Sequence, residues 1–165
     1  SFNHAASRAS QVRLVRAAAG DSDGELMIES GGGNLGATHV VTAAASAEAI
    51  RVPSLRLTRI LDEAGVTQVD SLKIDVEGYE DAALRGLSQP VKALSFEFTT
   101  IARYVAMACF DRLSALGRYR YNLALGESQK LLFDVWMSDE EMAGHLSNLP
   151  HEANSGDVYA TLALD

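Results

Sequence analysis

Apolar residues recur along this chain with two different spacings, which predict strands and helices. Short runs rich in β-branched and aromatic residues predict strands at 12–18, 25–29, 50–52, 69–76, 91–98, 119–125 and 158–164. Apolar residues three or four positions apart predict helices at 54–64, 79–85 and 101–116, and a short helix that opens at Ser138 and ends before Pro150. Strand and helix therefore alternate along most of the chain.

Capping and turn-forming residues mark the ends of these elements. Ser54 occupies the position of an N-cap for the first helix, and Gly65 stands at its end. Ser138 and Glu141 have the spacing of a capping box. The glycines within 31–36 predict a surface loop and not a phosphate-binding loop, because no helix follows at once and a Gly-Lys-Ser/Thr ending is absent.

The alternation predicts a single α/β domain covering residues 1–165, with a mostly parallel sheet and helices on both faces. The last two predicted strands, 119–125 and 158–164, are joined through a turn-rich stretch and can add an antiparallel edge.

Composition narrows the range of partners. The chain has 165 residues, of which 47% are hydrophobic, and a formal net charge of −8, which argues against nucleic acid and anionic lipid as partners. The apolar-rich stretch 93–110 carries several polar residues and is shorter than the roughly 20 residues of a membrane span, so we expect no membrane insertion. Cys109 is the only cysteine, so no internal disulfide can form. Its spacing from neighbouring apolar residues predicts that it lies in the core. The first residues lack the features of a secretion signal, which favours a cytoplasmic protein.

The most informative segment is a predicted strand that ends in Asp75 and Glu77 and leads directly into a helix. In open α/β sheets, ligands bind at the carboxyl ends of the strands. Carboxylates there can accept a proton, hold a metal or attract a cation. The alternative is structural: Glu77 and Glu80 complement the helix dipole, and Asp75 pairs with Lys73 or caps the helix. The spacing alone does not decide between the functional and the structural interpretation of these acids.

A longer pattern surrounds these acids. It comprises Val15 to Gly24, Leu61-Asp62, Leu72-Lys73-Ile74-Asp75-Val76-Glu77-Gly78-Tyr79-Glu80, Leu84, Gly86-Leu87 and Leu94 to Phe98. The pattern resembles the signature of FkbM-family methyltransferases, and the resemblance covers roughly residues 11–100. It implies a Rossmann-like class I methyltransferase fold, S-adenosylmethionine as cofactor, and transfer of its methyl group to a hydroxyl of a small molecule, sugar or polyketide.

The resemblance also implies roles for individual residues. Asp75 and Glu77 would be catalytic at the methyl-transfer crevice, Gly20 and Asp21 would face the adenine edge, and Glu97 is a candidate substrate contact. Lys73 would orient the acids. His39, which follows the glycine run and Thr38, is a further candidate for substrate binding, and we expect no metal.

The sequence departs from the family at one point. The family's glycine-rich cofactor loop and the acid-tipped strand that holds the ribose are absent from these residues, and the N-terminal strands of the fold are expected to be missing. We therefore expect weak or no binding of S-adenosylmethionine by this chain alone. The alternative function is a catalytically inactive, truncated methyltransferase fold that serves as an interaction module.

The absent strands also affect the predicted sheet, since the family places them between the 12–18 strand and the strand of Lys73. The Lys73 strand should then pair with the region of Val12 or Ile50, or with a second chain in a homodimer.

Overall fold

The computed structural model describes residues 12–30, 38–40 and 49–163, and its strands form two four-stranded sheets. The strands are β1 (Ala18–Gly20), β2 (Gly24–Ser30), β3 (Thr38–Val40), β4 (Ile50–Arg56), β5 (Leu72–Ile74), β6 (Ala93–Thr99), β7 (Tyr119–Leu125) and β8 (Ser155–Leu162). The α-helices are α1 (Leu57–Ala64), α2 (Glu80–Arg85), α3 (Arg103–Leu116) and α4 (Asp139–Asn148). Short 3-10 turns occur at Gly126–Ser128 and His151–Ala153. The glycine run at 31–36 lies outside the described residues.

The first sheet has the order β1-β4-β2-β3, and in it only β1 and β4 are parallel among the described strands. The predicted N-cap at Ser54 is wrong, because β4 continues through this residue. Ser54 is buried in β4, and its hydroxyl donates to the carbonyl of Ser22 at 2.9 Å. Helix α1 begins at Leu57 instead, without a side-chain cap. The predicted stop at Gly65 is confirmed, with a left-handed φ of 69°.

The second sheet has the order β5-β6-β8-β7. β5 and β6 are parallel, whereas β8 lies between β6 and β7 and is antiparallel to both. Only two of the six described strand pairings are parallel, so a mostly parallel, Rossmann-like sheet is not confirmed. The predicted antiparallel edge formed by the last two strands is confirmed by the β7–β8 pair. The antiparallel pairing of β8 with β6 was not predicted.

Helices cover one face of the second sheet. Along β6 and β8 every second residue is buried, and the residues between them are half-exposed. The rings of Phe96 in β6 and Phe110 in α3 pack edge-on, with their centroids 5.9 Å apart. The ring of Phe110 packs in the same way on Tyr121 of β7, with the centroids 5.0 Å apart. Such aromatic pairs add about 0.5–1.5 kcal/mol each to their burial. The opposite face carries half-exposed residues such as Ser95 and Asp157, so helices on both faces are not confirmed for the described residues.

Several predictions from local signals are confirmed. β7 spans the predicted residues 119–125. In the capping box of α4, the Ser138 hydroxyl accepts from the Glu141 amide at 3.3 Å, and the Glu141 carboxylate accepts from the Ser138 amide at 2.8 Å. Cys109 is completely buried, and burial raises the pKa of its thiol.

None of the described helices is long and apolar enough to cross a membrane.

The two sheets meet through α2. Its buried residues Ala83 and Leu84 belong to the core of the second sheet, and the carbonyl of Gly86, just past its end, accepts from the amide of Thr58 at 3.0 Å. The prediction that the Lys73 strand pairs with the Val12 or Ile50 region is wrong within the described ranges. β5 pairs there with β6, and Ile50 belongs to β4 of the other sheet. Pairing with a second chain stays a prediction.

Candidate active site

The acids of the motif lie on a sharp turn between β5 and α2. Ile74 is buried, whereas Asp75 and Glu77 are exposed. The turn depends on left-handed backbone at two successive residues, Glu77 with φ 54° and Gly78 with φ 90°. A residue with a Cβ adopts this conformation at a cost of roughly 1–2 kcal/mol, so other contacts must hold Glu77 there. The turn places both carboxylates at the carboxyl end of β5, which is an edge strand among the described residues.

A row of carboxylates crosses this end of the second sheet. Ile74 pairs with Phe96, so Asp75 and Glu97 are the next residues on neighbouring strands. Glu97 in turn pairs with Asp157 of β8. Neighbouring strands lie about 4.8 Å apart, which sets the scale of the spacing between these residues. The sheet thus brings together the predicted residues Asp75 and Glu97, and adds Asp157.

Lys73 supplies positive charge within the row. Its ammonium group donates a hydrogen bond to Asp157 and lies 3.7 Å from Asp75 Oδ2. Partial burial by itself lowers the pKa of Lys73, but the hydrogen bond to Asp157 and the charges of Asp157, Asp75 and Glu97 outweigh it, so the pKa is raised. Lys73 is therefore charged at neutral pH and bridges two of the carboxylates.

The carboxyl group of Glu97 has a raised pKa. Burial, followed by the negative charges of Asp75, Glu77 and Glu80, raises its pKa from 4.5 to about 7, although Lys73 opposes the shift. A carboxylate with this pKa is a better proton acceptor than an ordinary glutamate and is still largely ionised slightly above neutral pH. Glu97 is therefore a candidate proton acceptor.

Glu80, the first residue of α2, was not predicted as part of the site. It is only 2% exposed. One carboxylate oxygen, Oε1, accepts from the amide of Val76 at 3.2 Å and from the amide of Gly78 at 3.1 Å. The sequence pattern indicated only an acid in the first turn of a helix, whereas the folded chain uses it to hold the preceding turn.

A small cavity of about 20 Å³ adjoins these acids and is lined by Gly78, Glu80, Glu97 and the start of α3. Its volume is enough for about one water molecule. A larger cavity of about 590 Å³ is lined by Val69, Val91 and neighbouring residues that precede β5 and β6, and so lies at the other end of these strands. The acids therefore lie on an open rim, with a small recess beside Glu80 and Glu97.

The predicted cofactor residues lie beside α2. Gly20 is buried where β1 ends, and a Cβ atom on it would be 2.6 Å from the hydroxyl oxygen of Ser54, so its lack of a side chain serves close packing. Asp21 is exposed, with Oδ2 3.5 Å from Arg85 Nη2. Burial, and then the charge of Asp21, raise the pKa of Tyr79, which precedes α2. Asp21 therefore lies on the flank of the helix that begins with Glu80.

His39 is not brought to the acids by the described backbone. His39 lies in β3, at the edge of the first sheet opposite β1, and pairs with Glu29 of β2. Three strand spacings separate β3 from β1, or roughly 14 Å. Its side chain lies outside the described part of the chain, and so does any contact that it makes.

Within the described ranges, no group of three His, Cys, Asp or Glu side chains could hold a metal ion. A family model described as the methyltransferase FkbM domain matches residues 7–149, which include Asp75, Glu77 and Glu97 but not Asp157. No curated protein and no solved structure matches the chain.

Proposed function

The chain belongs to the FkbM methyltransferase family, and from this we propose that it transfers the methyl group of S-adenosylmethionine to a hydroxyl oxygen of a small molecule, sugar or polyketide. The site is the rim formed by Asp75, Glu77 and Glu97. The observation that carries the proposal is that Asp75 and Glu97 follow the paired residues Ile74 and Phe96 and so lie side by side at the end of β5. The raised pKa of the half-buried Glu97 supports its use as the acceptor of a hydroxyl proton.

The residues of the rim suit a positively charged methyl donor. When bound, S-adenosylmethionine supplies an electrophilic methyl group on a positively charged sulfur. Asp75 and Glu77 are exposed at the rim, and their negative charge attracts such a cation. Asp21 is exposed beside Tyr79 and offers a hydrogen-bond acceptor to the nucleoside. The charge of the rim thus favours the donor over its neutral product.

Glu97 completes the reaction by removing a proton. It would take the proton of the acceptor hydroxyl as that oxygen receives the methyl group, which the bound donor would supply while leaving as a neutral thioether. General-base removal of a proton contributes about 10²–10⁴-fold to a rate. Asp75 and Glu77 act in the same step by holding positive charge at the rim.

Transfer of a labelled methyl group to hydroxyl-bearing acceptors tests this function. Glu97→Gln should lower turnover by about 10²-fold or more, since an amide cannot take the proton. Glu140→Gln, a change of the same kind at an exposed residue of α4, is the matched control and should leave turnover unchanged. A product methylated on nitrogen or carbon, or full turnover by the Glu97→Gln variant, would overturn the proposal.

A further inference from the structure

The turn that carries Asp75 and Glu77 needs an internal support. Glu77 adopts a left-handed φ of 54° without being glycine, and Gly78 follows it with φ 90°. Tyr79, the N-cap residue of α2, makes no capping hydrogen bond with its side chain. The amides of Val76 and Gly78 face the same buried carboxylate oxygen, which belongs to Glu80.

We propose that Glu80 is a positioning residue of the methyl-transfer site: its carboxylate fixes the turn from Asp75 to Tyr79 so that Asp75 and Glu77 stand beside Glu97. The inference rests on the proposed function for its meaning, but the contacts stand independently of it. Hydrogen bonds from backbone amides to a charged group are among the stronger ones in proteins, and two of them converge here on one atom.

The burial of Glu80 makes this support specific. Glu80 is only 2% exposed, so bulk solvent cannot readily replace the two amides. The same side chain lines the small cavity next to Gly78 and Glu97. Its position therefore couples the shape of the turn to the surroundings of Glu97.

Charged groups near Glu97 come from several elements. Lys73 lies on β5, Asp75 and Glu77 on the turn, Glu80 on α2 and Asp157 on β8. A change at Glu80 can alter the surroundings of Glu97 in two ways, by removing a charge or by releasing the turn with its two acids. Two substitutions separate these effects.

Glu80→Gln removes the charge but keeps a carbonyl oxygen that can accept both amides. Glu80→Asp keeps the charge, but its side chain is one methylene shorter and cannot reach both amides. Amide hydrogen exchange measures the turn, and carboxyl NMR titration measures the pKa of Glu97. Neither measurement needs a methyl donor or an acceptor.

The positioning role predicts that Glu80→Asp lowers exchange protection at Val76 and Gly78 by about 10-fold or more, with protection in β6 and α3 retained. The pKa of Glu97 should fall in this variant although the charge of residue 80 is kept. Glu80→Gln should keep the protection of both amides. Unchanged protection and an unchanged Glu97 pKa in Glu80→Asp would overturn the proposal, as would an equal loss of protection throughout the chain.

The failure of this inference is distinguishable from failure of the proposed function. If Glu80 supports the turn and no methyl group is transferred, the function fails and the support stands. If Glu80→Asp transfers methyl groups at the parent's kcat and KM, and Glu97→Gln does not, the function stands and the positioning role fails.

Discussion

Gly86 lies so close to Gly20 that a Cβ atom on Gly86 would be 2.2 Å from the carbonyl oxygen of Gly20. Real Cβ atoms do not approach a backbone oxygen this closely, so one of the two segments would have to move. Gly86 has an ordinary helical φ of −70° and therefore serves close packing and not an unusual backbone conformation. The contact joins the end of α2 to the end of β1 and thus sets the position of Asp21 relative to the acids.

Gly86→Ala should destabilise the protein by about 1–3 kcal/mol or more, because the obstacle is backbone and cannot rotate away. Urea denaturation measures the loss. The matched control is Gly144→Ala in α4, where a Cβ meets nothing within 4 Å, and the better helix propensity of alanine should stabilise the protein by up to about 1 kcal/mol. Equal effects of the two substitutions would contradict the close packing at Gly86.

Ser138→Ala should cost about 1 kcal/mol of stability, because it removes the acceptor for the Glu141 amide in the capping box of α4. Ser147→Ala in the same helix is the control. The Ser147 hydroxyl donates to the carbonyl of Ala143 within the helix, so its removal should be neutral or slightly stabilising. Equal denaturation midpoints for parent and Ser138→Ala would show that the cap contributes nothing.

The stability of the folded chain should depend on pH through Glu97. Its pKa is 4.5 in an ordinary environment and about 7 in the fold, so between these values the folded state binds more protons than the unfolded state. The contribution of Glu97 to stability therefore falls as pH rises from 4.5 to about 7 and stays low above it. Because the group is partly exposed, solvent screening reduces the effect to the order of 1 kcal/mol.

Glu97→Gln removes this titration. Urea denaturation of parent and variant should show the variant gaining stability relative to the parent by about 1 kcal/mol between mildly acidic and mildly alkaline buffer. Other carboxylates titrate in both proteins and cancel in the comparison. A difference between the two proteins that does not change with pH would show that Glu97 titrates normally.

Local signals in the sequence predicted much of the fold, and contacts between distant residues account for the rest. The ends of α1 and α4 follow from Gly65 and the Ser138 capping box, which act within one turn of helix. The contact between Lys73 and Asp157 joins residues 84 positions apart and depends on β8 entering the sheet between β6 and β7. No local pattern encodes that insertion.

The candidate site was predictable in part for the same reason. A strand ending in Asp75 and Glu77 before a helix can be read from the motif. The part played by Glu80 depends on the left-handed backbone of Glu77, and a residue other than glycine gives no sign of that conformation in the sequence.

The free edge of β5 leads to a prediction about association. Within the described residues β5 pairs with β6 on one side only, and an unpaired edge beside a buried residue such as Ile74 favours pairing with another strand. We propose that two copies of the chain associate through this edge. Light scattering should find dimers whose share rises with protein concentration, together with slowed amide exchange in β5. A monomer at every concentration, with freely exchanging β5 amides, would refute it.

The most direct test of the central claim is a carboxyl NMR titration of Glu97 in the presence of saturating S-adenosylmethionine or of its neutral product S-adenosylhomocysteine. If the positively charged sulfur binds beside Asp75, Glu77 and Glu97, the methyl donor should lower the pKa of Glu97 from its value of about 7, and the neutral product should lower it much less. Calorimetry first establishes the saturating concentrations, since the sequence predicts weak binding. Absence of binding, or the same Glu97 titration with the donor, with the product and without either compound, would contradict the placement of methyl transfer at this rim.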